Sequence, residues 1–283
     1  MPLLFGTAGV PLSAQERSSE SGVKRIRELR LGALELEFVQ GVRMGPEKAR
    51  RVGQVAIEQG VALSCHGPYW INLNSREKEK IAASKERILH TARIGKIIGV
   101  RSVIFHPAFY HEDAAELVFE RVLEALTGIR EILDAEENEV VLRPETTGKG
   151  SQFGNLQETI KLAQYIPGVL PCIDFAHLHA RSNGRYNDYN DFCRVLEETA
   201  ETLGDRWNKN AHFHISGIEY GLKGEKRHLI LNEADFQYKD LMRAFQTFAV
   251  EGLAICESPN LEEDALALQS IYLSLGSVKD ETG

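Results

Sequence analysis

Short apolar runs alternate along the chain with longer segments whose apolar residues recur every three or four positions. The short runs have the length and composition of buried strands, and the longer segments have the period of amphipathic helices. The strand-like runs are LLFGTAG near residue 3, LGALELEFV near 31, VALSCHGP near 61, SVIFHP near 102, EVVLRPE near 139, VLPCIDFAH near 169, AHFHISG near 211 and LAICES near 253.

The helical segments carry recognisable start and stop residues. PEKARRVGQVAIEQG places Val52 and Val55 on one face, and Gly60 is a candidate C-cap. The next segment has Ser75 as candidate N-cap and ends at Gly99. The others are DAAELVFERVLEALTGIREIL, LQETIKLAQYI, YNDFCRVLEETAETL, EADFQYKDLMRAFQTFAVEG and EEDALALQSIYLSLG.

The alternation predicts a parallel sheet built from strand–helix units. The strand-like runs recur roughly every 30 to 40 residues, which is the length of one such unit. Eight units with right-handed crossovers close a TIM barrel, whereas an open doubly wound sheet rarely has eight evenly spaced units. The sequence therefore predicts an α/β fold, a (β/α)8 TIM barrel forming a single domain over residues 1–283, with a disordered tail at the last few residues.

Composition narrows the class of protein. No run of 18 or more apolar residues occurs, so no membrane span is expected, and the start lacks the features of a signal peptide. We therefore expect a cytoplasmic protein. The four cysteines form no CxxC pair, which disfavours a zinc ribbon or a disulfide framework. A net charge of −8 argues against a broadly basic surface but allows a local basic groove.

The candidate chemistry lies at the ends of the predicted strands, where TIM barrels form their active sites. A single histidine or acid at such a position is ordinarily a packed or solvated side chain. Six consecutive strands that all end this way would crowd imidazoles and carboxylates together, and divalent cations would neutralise them. The residues are His66, His106, Glu145, Asp174 followed by His177, His214 and Glu257, with His228 in the loop after the seventh strand.

Mixed imidazole and carboxylate ligands suit Zn²⁺, with Mn²⁺ or Fe²⁺ as alternatives, better than Ca²⁺. The candidates exceed the three or four protein ligands of one zinc ion, so two or three metals sharing a carboxylate are expected. Glu145 lies centrally among the strand ends and is the natural bridge. His212 shares the inward face with His214 but lies deeper, and the inward acid of LELEF, Glu35 or Glu37, is a weaker candidate that needs a partner.

Four segments, in order along nearly the whole chain, resemble the endonuclease IV family of AP endonucleases, within the xylose isomerase-like TIM barrel superfamily. The first resembles the family signature His-x-x-Tyr-hydrophobic-Ile-Asn-Leu, the second its next histidine segment, the third its bridging-glutamate loop and the fourth its Asp–His segment. In this chain they read His66-Gly-Pro-Tyr69-Trp-Ile-Asn72-Leu, Phe105-His106-Pro107, Glu145-Thr-Thr-Gly148-Lys-Gly150 and Cys172-Ile-Asp174-Phe-Ala-His177.

The resemblance implies a zinc hydrolase with up to three metals. One would be held by His66, His106 and Glu145, the second by Glu145, Asp174, His214 and Glu257, and the third by His177 and His228 with a carboxylate. The family's aspartate two residues before the last histidine is replaced here by Lys226, so that the nearest acid, Glu225, is the candidate.

The resemblance also implies a substrate and the residues that act on it. The reaction would be hydrolysis of the phosphodiester 5′ to an abasic site in duplex DNA by a monomeric base excision repair enzyme, with the abasic nucleotide flipped out of the stack. Glu145 and Glu257 would be catalytic, and Tyr69, Asn72 and Arg43 would bind the substrate. Ser216-Gly217 and Phe175-Ala176 depart from the family pattern, mostly in loops that read the substrate.

Two other classes of function stay open. A xylose isomerase-like sugar isomerase or epimerase could use Glu145, Asp174, His214 and Glu257 alone, which would leave several histidines surplus. A barrel that binds a metal or a partner without catalysis is the third class. The excess of candidate ligands favours the hydrolase.

Overall fold

The computed structural model describes residues 2–280, and apolar runs form its strands because they are buried on both faces. The strands are β1 (Leu3–Ala8), β2 (Ala33–Glu37), β3 (Ala62–His66), β4 (Ser102–Phe105), β5 (Ala108–Phe109), β6 (Val141–Pro144), β7 (Gln152–Phe153), β8 (Ile173–Asp174), β9 (Ala211–Ile215), β10 (Gly217–Gly221), β11 (Gly224–Leu229) and β12 (Gly252–Cys256).

Amphipathic segments between these strands form the helices. They are α1 (Ser19–Glu28), α2 (Pro46–Gln59), α3 (Lys78–Ile98), α4 (Ala115–Ala135), α5 (Leu156–Tyr165), α6 (Phe175–Arg181), α7 (Tyr189–Leu203), α8 (Asp205–Asn208), α9 (Tyr238–Phe248) and α10 (Glu262–Asp280), with a 3₁₀ turn at Leu231–Glu233.

Eight of the strands pair in parallel in the order β6-β4-β3-β2-β1-β12-β9-β8. Parallel bridges from Leu142 to Val169 and from Glu145 to Cys172 join the two ends of this sheet. The predicted (β/α)8 TIM barrel is therefore confirmed. The assignment of residues 1–283 to one domain stays a prediction, and the predicted tail at the last few residues lies outside the described residues.

The helices cover the barrel with their apolar faces. In α2, Ala49, Val52 and Ala56 are buried, and the helix ends at Gly60, whose φ of 65° is the left-handed conformation of a C-cap. A side chain at Gly53 would meet the carbonyl oxygen of Ile98 at 2.2 Å, so that α2 packs directly against the end of α3. This shell holds the barrel strands in register and their ends at one rim.

The structure corrects three local predictions. The helix α3 begins at Lys78 rather than after Ser75, because the Ser75 hydroxyl accepts a hydrogen bond from the Glu77 amide in a turn. The sixth barrel strand is only two residues long, and His177 lies in the helix that follows it. His228 does not lie in a loop but in β11, which pairs with β10 in an antiparallel hairpin. In addition, α1 lies outside the predicted helical segments.

The cysteines and the helices can also be compared with the requirements of a disulfide and of a membrane span. The thiols of Cys65, Cys172 and Cys256 are buried and Cys193 is half-buried, and none of these four cysteines forms a disulfide. Within residues 2–280, no helix has both the length and the apolar character needed to cross a membrane.

Candidate metal centre

The carboxyl ends of the barrel strands bring the predicted ligands to one rim, where most of their side chains are buried. His66 ends β3 and His106 follows β4, while Asp174 ends β8. The remaining candidates are Glu145 after β6, His177 in α6, His214 in β9, His228 in β11 and Glu257 after β12.

Glu145 lies at the centre of this group and presents one oxygen to each side. Its Oε2 is 2.9 Å from Nε2 of His106 and 3.1 Å from Nε2 of His66. Its Oε1 is 3.0 Å from Nδ1 of His214 and 3.3 Å from Nδ1 of His177. A carboxylate whose two oxygens face two separate sets of ligands has the arrangement of a bridge between metal ions.

The ligand atoms fall into three overlapping groups along the rim. Within each group one nitrogen or oxygen of every residue lies within 4.8 Å of the others, so one cation could contact them all. The groups are His66, His106 and Glu145; Glu145, Asp174, His214 and Glu257; and Asp174, His177 and His228.

Backbone carbonyls set the protonation of three of the histidines. The Nδ1–H groups of His66 and His177 donate to the carbonyls of Gly67 and Thr146 at 2.8 and 3.0 Å. His228 donates from Nδ1 to the carbonyl of Glu257 at 3.2 Å. In the neutral form of each ring the proton is thereby held on Nδ1, and Nε2 is the nitrogen available to a metal.

The hairpin β10–β11 adds an acid to the third group. Glu225 Oε2 is 3.6 Å from Nε2 of His177, whereas the exposed Lys226 extends away to pair with Glu219 at 3.1 Å.

A β-bulge in the hairpin sets the direction of Glu225. Ile218 of β10 pairs with His228 of β11, and Tyr220, two residues further along β10, pairs with Glu225, which is three residues from His228. Lys226 is therefore the extra residue of a β-bulge, which brings Glu225 and His228 to the same face. The bulge explains why Glu225 can stand in for an acid at position 226.

Burial and charge in the rim indicate that a positive partner belongs there. Burial raises the pKa of Glu145, but the charges of His106 and His214 outweigh it and hold this pKa well below its usual range. Burial raises the pKa of Asp174 well above its usual range. Oδ2 of Asp174 and Oε2 of Glu257 are buried and have no hydrogen-bond partner among the described residues. The donor set and these unpartnered oxygens fit divalent cations.

The rim opens into a cavity of 310 Å³. Tyr69 lines it, is 57% exposed and lies with its ring 6.0 Å from that of His66. Lys149 is the cationic side chain among the lining residues, and sequence reasoning missed it although it lies inside the bridging-glutamate motif. Phe109 and Gln152, which were also missed, come from the short strands β5 and β7.

Two predicted substrate-binding residues do not line this cavity. Arg43 is exposed in the segment between β2 and α2. The side-chain oxygen of Asn72 accepts hydrogen bonds from the amides of Asn74 and Phe109 at 3.1 and 3.4 Å. Asn72 therefore shapes the loop after β3, and a role of either residue in substrate binding stays a prediction.

Comparisons with known proteins agree with this fold. An uncharacterized protein of Methanocaldococcus jannaschii is 44% identical over 273 residues, which are 96% of this chain and 98% of the relative. A probable endonuclease 4 of Geobacillus sp. is 28% identical over 199 residues, and this match spans 64% of each chain. The solved structure of a D-tagatose 3-epimerase-like protein superposes with a TM-score of 0.73 at 17% identity, over 99% of both chains. The model of the xylose isomerase-like TIM barrel family matches residues 23–273, and the chain belongs to that family.

Proposed function

We propose that the protein is a metal-dependent phosphodiesterase that hydrolyses the phosphodiester 5′ to abasic sites in duplex DNA. The observation that carries the proposal is Glu145, which presents one oxygen to His66 and His106 and the other to His214 in the group with Asp174 and Glu257. A single metal would leave one of these sets without a role. The similarity to a probable endonuclease 4 and the order of the sequence motifs support the same reaction.

The chain's own residues hold and orient the centre. His66, His106 and Glu145 would hold one cation, Asp174, His214 and Glu257 with Glu145 a second, and His177, His228 and Glu225 a third. Zn²⁺ fits this donor set, and such cations supply Lewis acidity toward a phosphate and lower the pKa of bound water. The carbonyls of Gly67 and Thr146 keep the rings of His66 and His177 from rotating away.

The cavity beside the centre suits an extruded sugar phosphate. Lys149 places a cation at its wall, where it can pair with a phosphate oxygen. Tyr69 offers an exposed aromatic face at its mouth, where it can stack against a base that neighbours the abasic nucleotide. The proposed substrate is therefore a flipped abasic nucleotide within a duplex.

A sugar epimerase is the second candidate, because one group of ligands suffices for it. Glu145, Asp174, His214 and Glu257 can hold a single metal by themselves. An epimerase would depend on these four residues and would tolerate the loss of His66 or His106. The phosphodiesterase would lose activity when either histidine is removed.

Metal analysis and a cleavage assay test the proposal together. The purified protein is analysed for metals, and a duplex with one synthetic abasic site is incubated with it, with and without a chelator. The expected result is two or three metals per chain and a chelator-sensitive nick 5′ to the site. Full metal occupancy without nicking refutes the nuclease, and a protein that binds no metal refutes the centre itself.

A matched pair of variants separates the two candidate reactions. His66→Ala removes a rim nitrogen, whereas His90→Ala removes an exposed histidine on α3, remote from the rim. Nicking should be lost in the first variant and kept in the second. Epimerase activity on a ketose that persists in both variants, without nicking by either, would favour the epimerase.

A further inference from the structure

A second layer of buried polar side chains lies inside the barrel, directly below the rim. It consists of Glu35 in β2, Ser64 in β3, and His212 and His214 in β9, all with no exposed surface. A buried carboxylate is costly unless other groups compensate it, so Glu35 needs a reason to be there.

The two oxygens of Glu35 have different surroundings. Oε2 accepts a hydrogen bond from the Ser64 hydroxyl at 2.6 Å and lies 3.1 Å from Nε2 of His212, which donates to it. These contacts fix the carboxylate between β2, β3 and β9. Oε1 lies 2.9 Å from Nε2 of His214, close enough for an ion pair, although both atoms are buried and neither completes a hydrogen bond within the described residues.

The ring of His214 therefore spans the two layers. Its Nδ1 is 3.0 Å from Oε1 of Glu145 and 3.4 Å from Oε1 of Glu257, while its Nε2 faces Glu35. His66, His177 and His228 have backbone carbonyls to fix their protons. His214 lies within a strand that is paired on both sides, so the neighbouring backbone carbonyls are used in the hydrogen bonds of the sheet. Its ring proton must therefore be fixed by a side chain.

We propose that Glu35 is a positioning residue of the metal centre, which holds His214 with its proton on Nε2 so that Nδ1 is free to bind a cation. Ser64 and His212 act one step further away by holding Glu35 in place. The inference depends on the metal centre of the proposed function but not on DNA as the substrate. Glu35, the inward-facing acid of β2, would thereby support metal binding without being a ligand itself.

Titration with Co²⁺ of the full-length protein tests the role of Glu35. Glu35→Leu removes the acceptor, and we expect about 10- to 100-fold weaker Co²⁺ binding and an altered visible spectrum. Glu35→Gln keeps an acceptor oxygen without the charge and should restore most of the affinity. Thr199→Val is the matched control, because it removes a buried hydrogen bond to the Val195 carbonyl on α7 without touching Glu35 or His214, and it should bind Co²⁺ as the wild type does.

A purely structural role would give a different pattern. It would lower the melting temperature of Glu35→Leu but leave Co²⁺ affinity and spectrum unchanged, and that result overturns the inference. A thiolate-to-cobalt band also overturns it, because Cys172, His212 and His214 would then hold the metal in the deeper layer, where their ligand atoms lie within 4.8 Å. Failure of the wild type itself to bind Co²⁺ would instead refute the metal centre.

A second measurement does not depend on the folding of a variant. In the Zn²⁺-loaded wild type labelled with ¹⁵N at histidine, long-range ¹H–¹⁵N spectra report which ring nitrogen carries the proton. We expect His214 to be protonated at Nε2. A proton on Nδ1 of His214 would overturn the proposal.

Discussion

The two ends of the barrel bury charge in opposite ways. Near the amino ends of the strands, Arg143 is fully buried and every part of its guanidinium has a partner. It donates to the Ser102 hydroxyl at 2.7 Å, to the Pro171 carbonyl at 2.9 Å, and to the carbonyl and side chain of Asn210 at 2.6 and 3.0 Å. At the carboxyl ends, buried oxygens of Asp174 and Glu257 have no hydrogen-bond partner among the described residues.

This difference separates a structural charge from a functional one. The hydrogen bonds of Arg143 are complete, so its removal should harm mainly the fold. The rim keeps buried oxygens of Asp174 and Glu257 without a hydrogen bond among the described residues, so a bound cation should add to its stability.

The largest effect is expected from Glu145→Gln. The variant removes the negative charge that both neighbouring sets of histidines face, so metal content should fall and nicking of abasic DNA should slow about 1000-fold, equivalent to about 4 kcal/mol. Single-turnover cleavage and elemental analysis measure the two effects. A variant with full metal content and a rate within about tenfold of wild type would show that Glu145 is not the bridge.

Arg143→Met should have the opposite effect to Glu145→Gln, a loss of stability with little loss of metal. The loss of its charged hydrogen bonds leaves buried oxygens unpartnered, and we expect the free energy of unfolding to fall by about 3 kcal/mol. Metal affinity should change far less, because the hydrogen bonds of Arg143 go to Ser102, Pro171 and Asn210 and to no candidate ligand. Denaturant unfolding and a metal titration on the same preparation check both statements. A loss of metal affinity as large as the loss of stability would remove the contrast between the two ends.

Removal of the metals should destabilise the protein in a pH-dependent way. A metal at about 100 times its dissociation constant stabilises the fold by about 2.7 kcal/mol, so a chelator should lower the melting temperature by about 5 °C or more. Metal binding needs neutral imidazoles and should strengthen as pH rises.

The metal-free protein should show the opposite trend with pH. Burial alone lowers the pKa of His66, but the hydrogen bond and the charge of Glu145 outweigh it and raise this pKa to about 10. Because the folded pKa lies above the unfolded value of about 6.5, this pair contributes fully below about pH 6.5 and its contribution is lost as pH rises toward 10. The increment in melting temperature on adding Zn²⁺ should therefore grow with pH, and an increment that shrinks would contradict the assignment of His66 as a ligand.

The barrel and most of its rim could be predicted from sequence for one physical reason. Barrel strands are buried on both faces and read as apolar runs, so a polar residue at the end of each run marks the rim. The strand pattern alone does not indicate Glu225, which only the family resemblance named as a candidate, because the bulge at Lys226 shifts the phase of β11 and no period in the sequence reports it. Nor could it show that the side-chain oxygen of Asn72 accepts a hydrogen bond from the Asn74 amide, because a motif shows which residues are neighbours in sequence and not which atoms meet.

The smallest effect, and the most local, is expected from Gly148→Ala. A Cβ at this position would lie 2.7 Å from Cβ of Glu225 and 2.9 Å from Cδ2 of His177, so both residues of the third group must move. We expect one metal per chain to bind about tenfold more weakly, or about 1.4 kcal/mol, while the sites on either side of Glu145 stay filled. Gly150→Ala is the control two residues away, because its Cβ would meet no atom within 4 Å. If both variants kept every metal, Glu225 would not be a ligand. Metal binding at the rim would then be confined to the two groups that share Glu145.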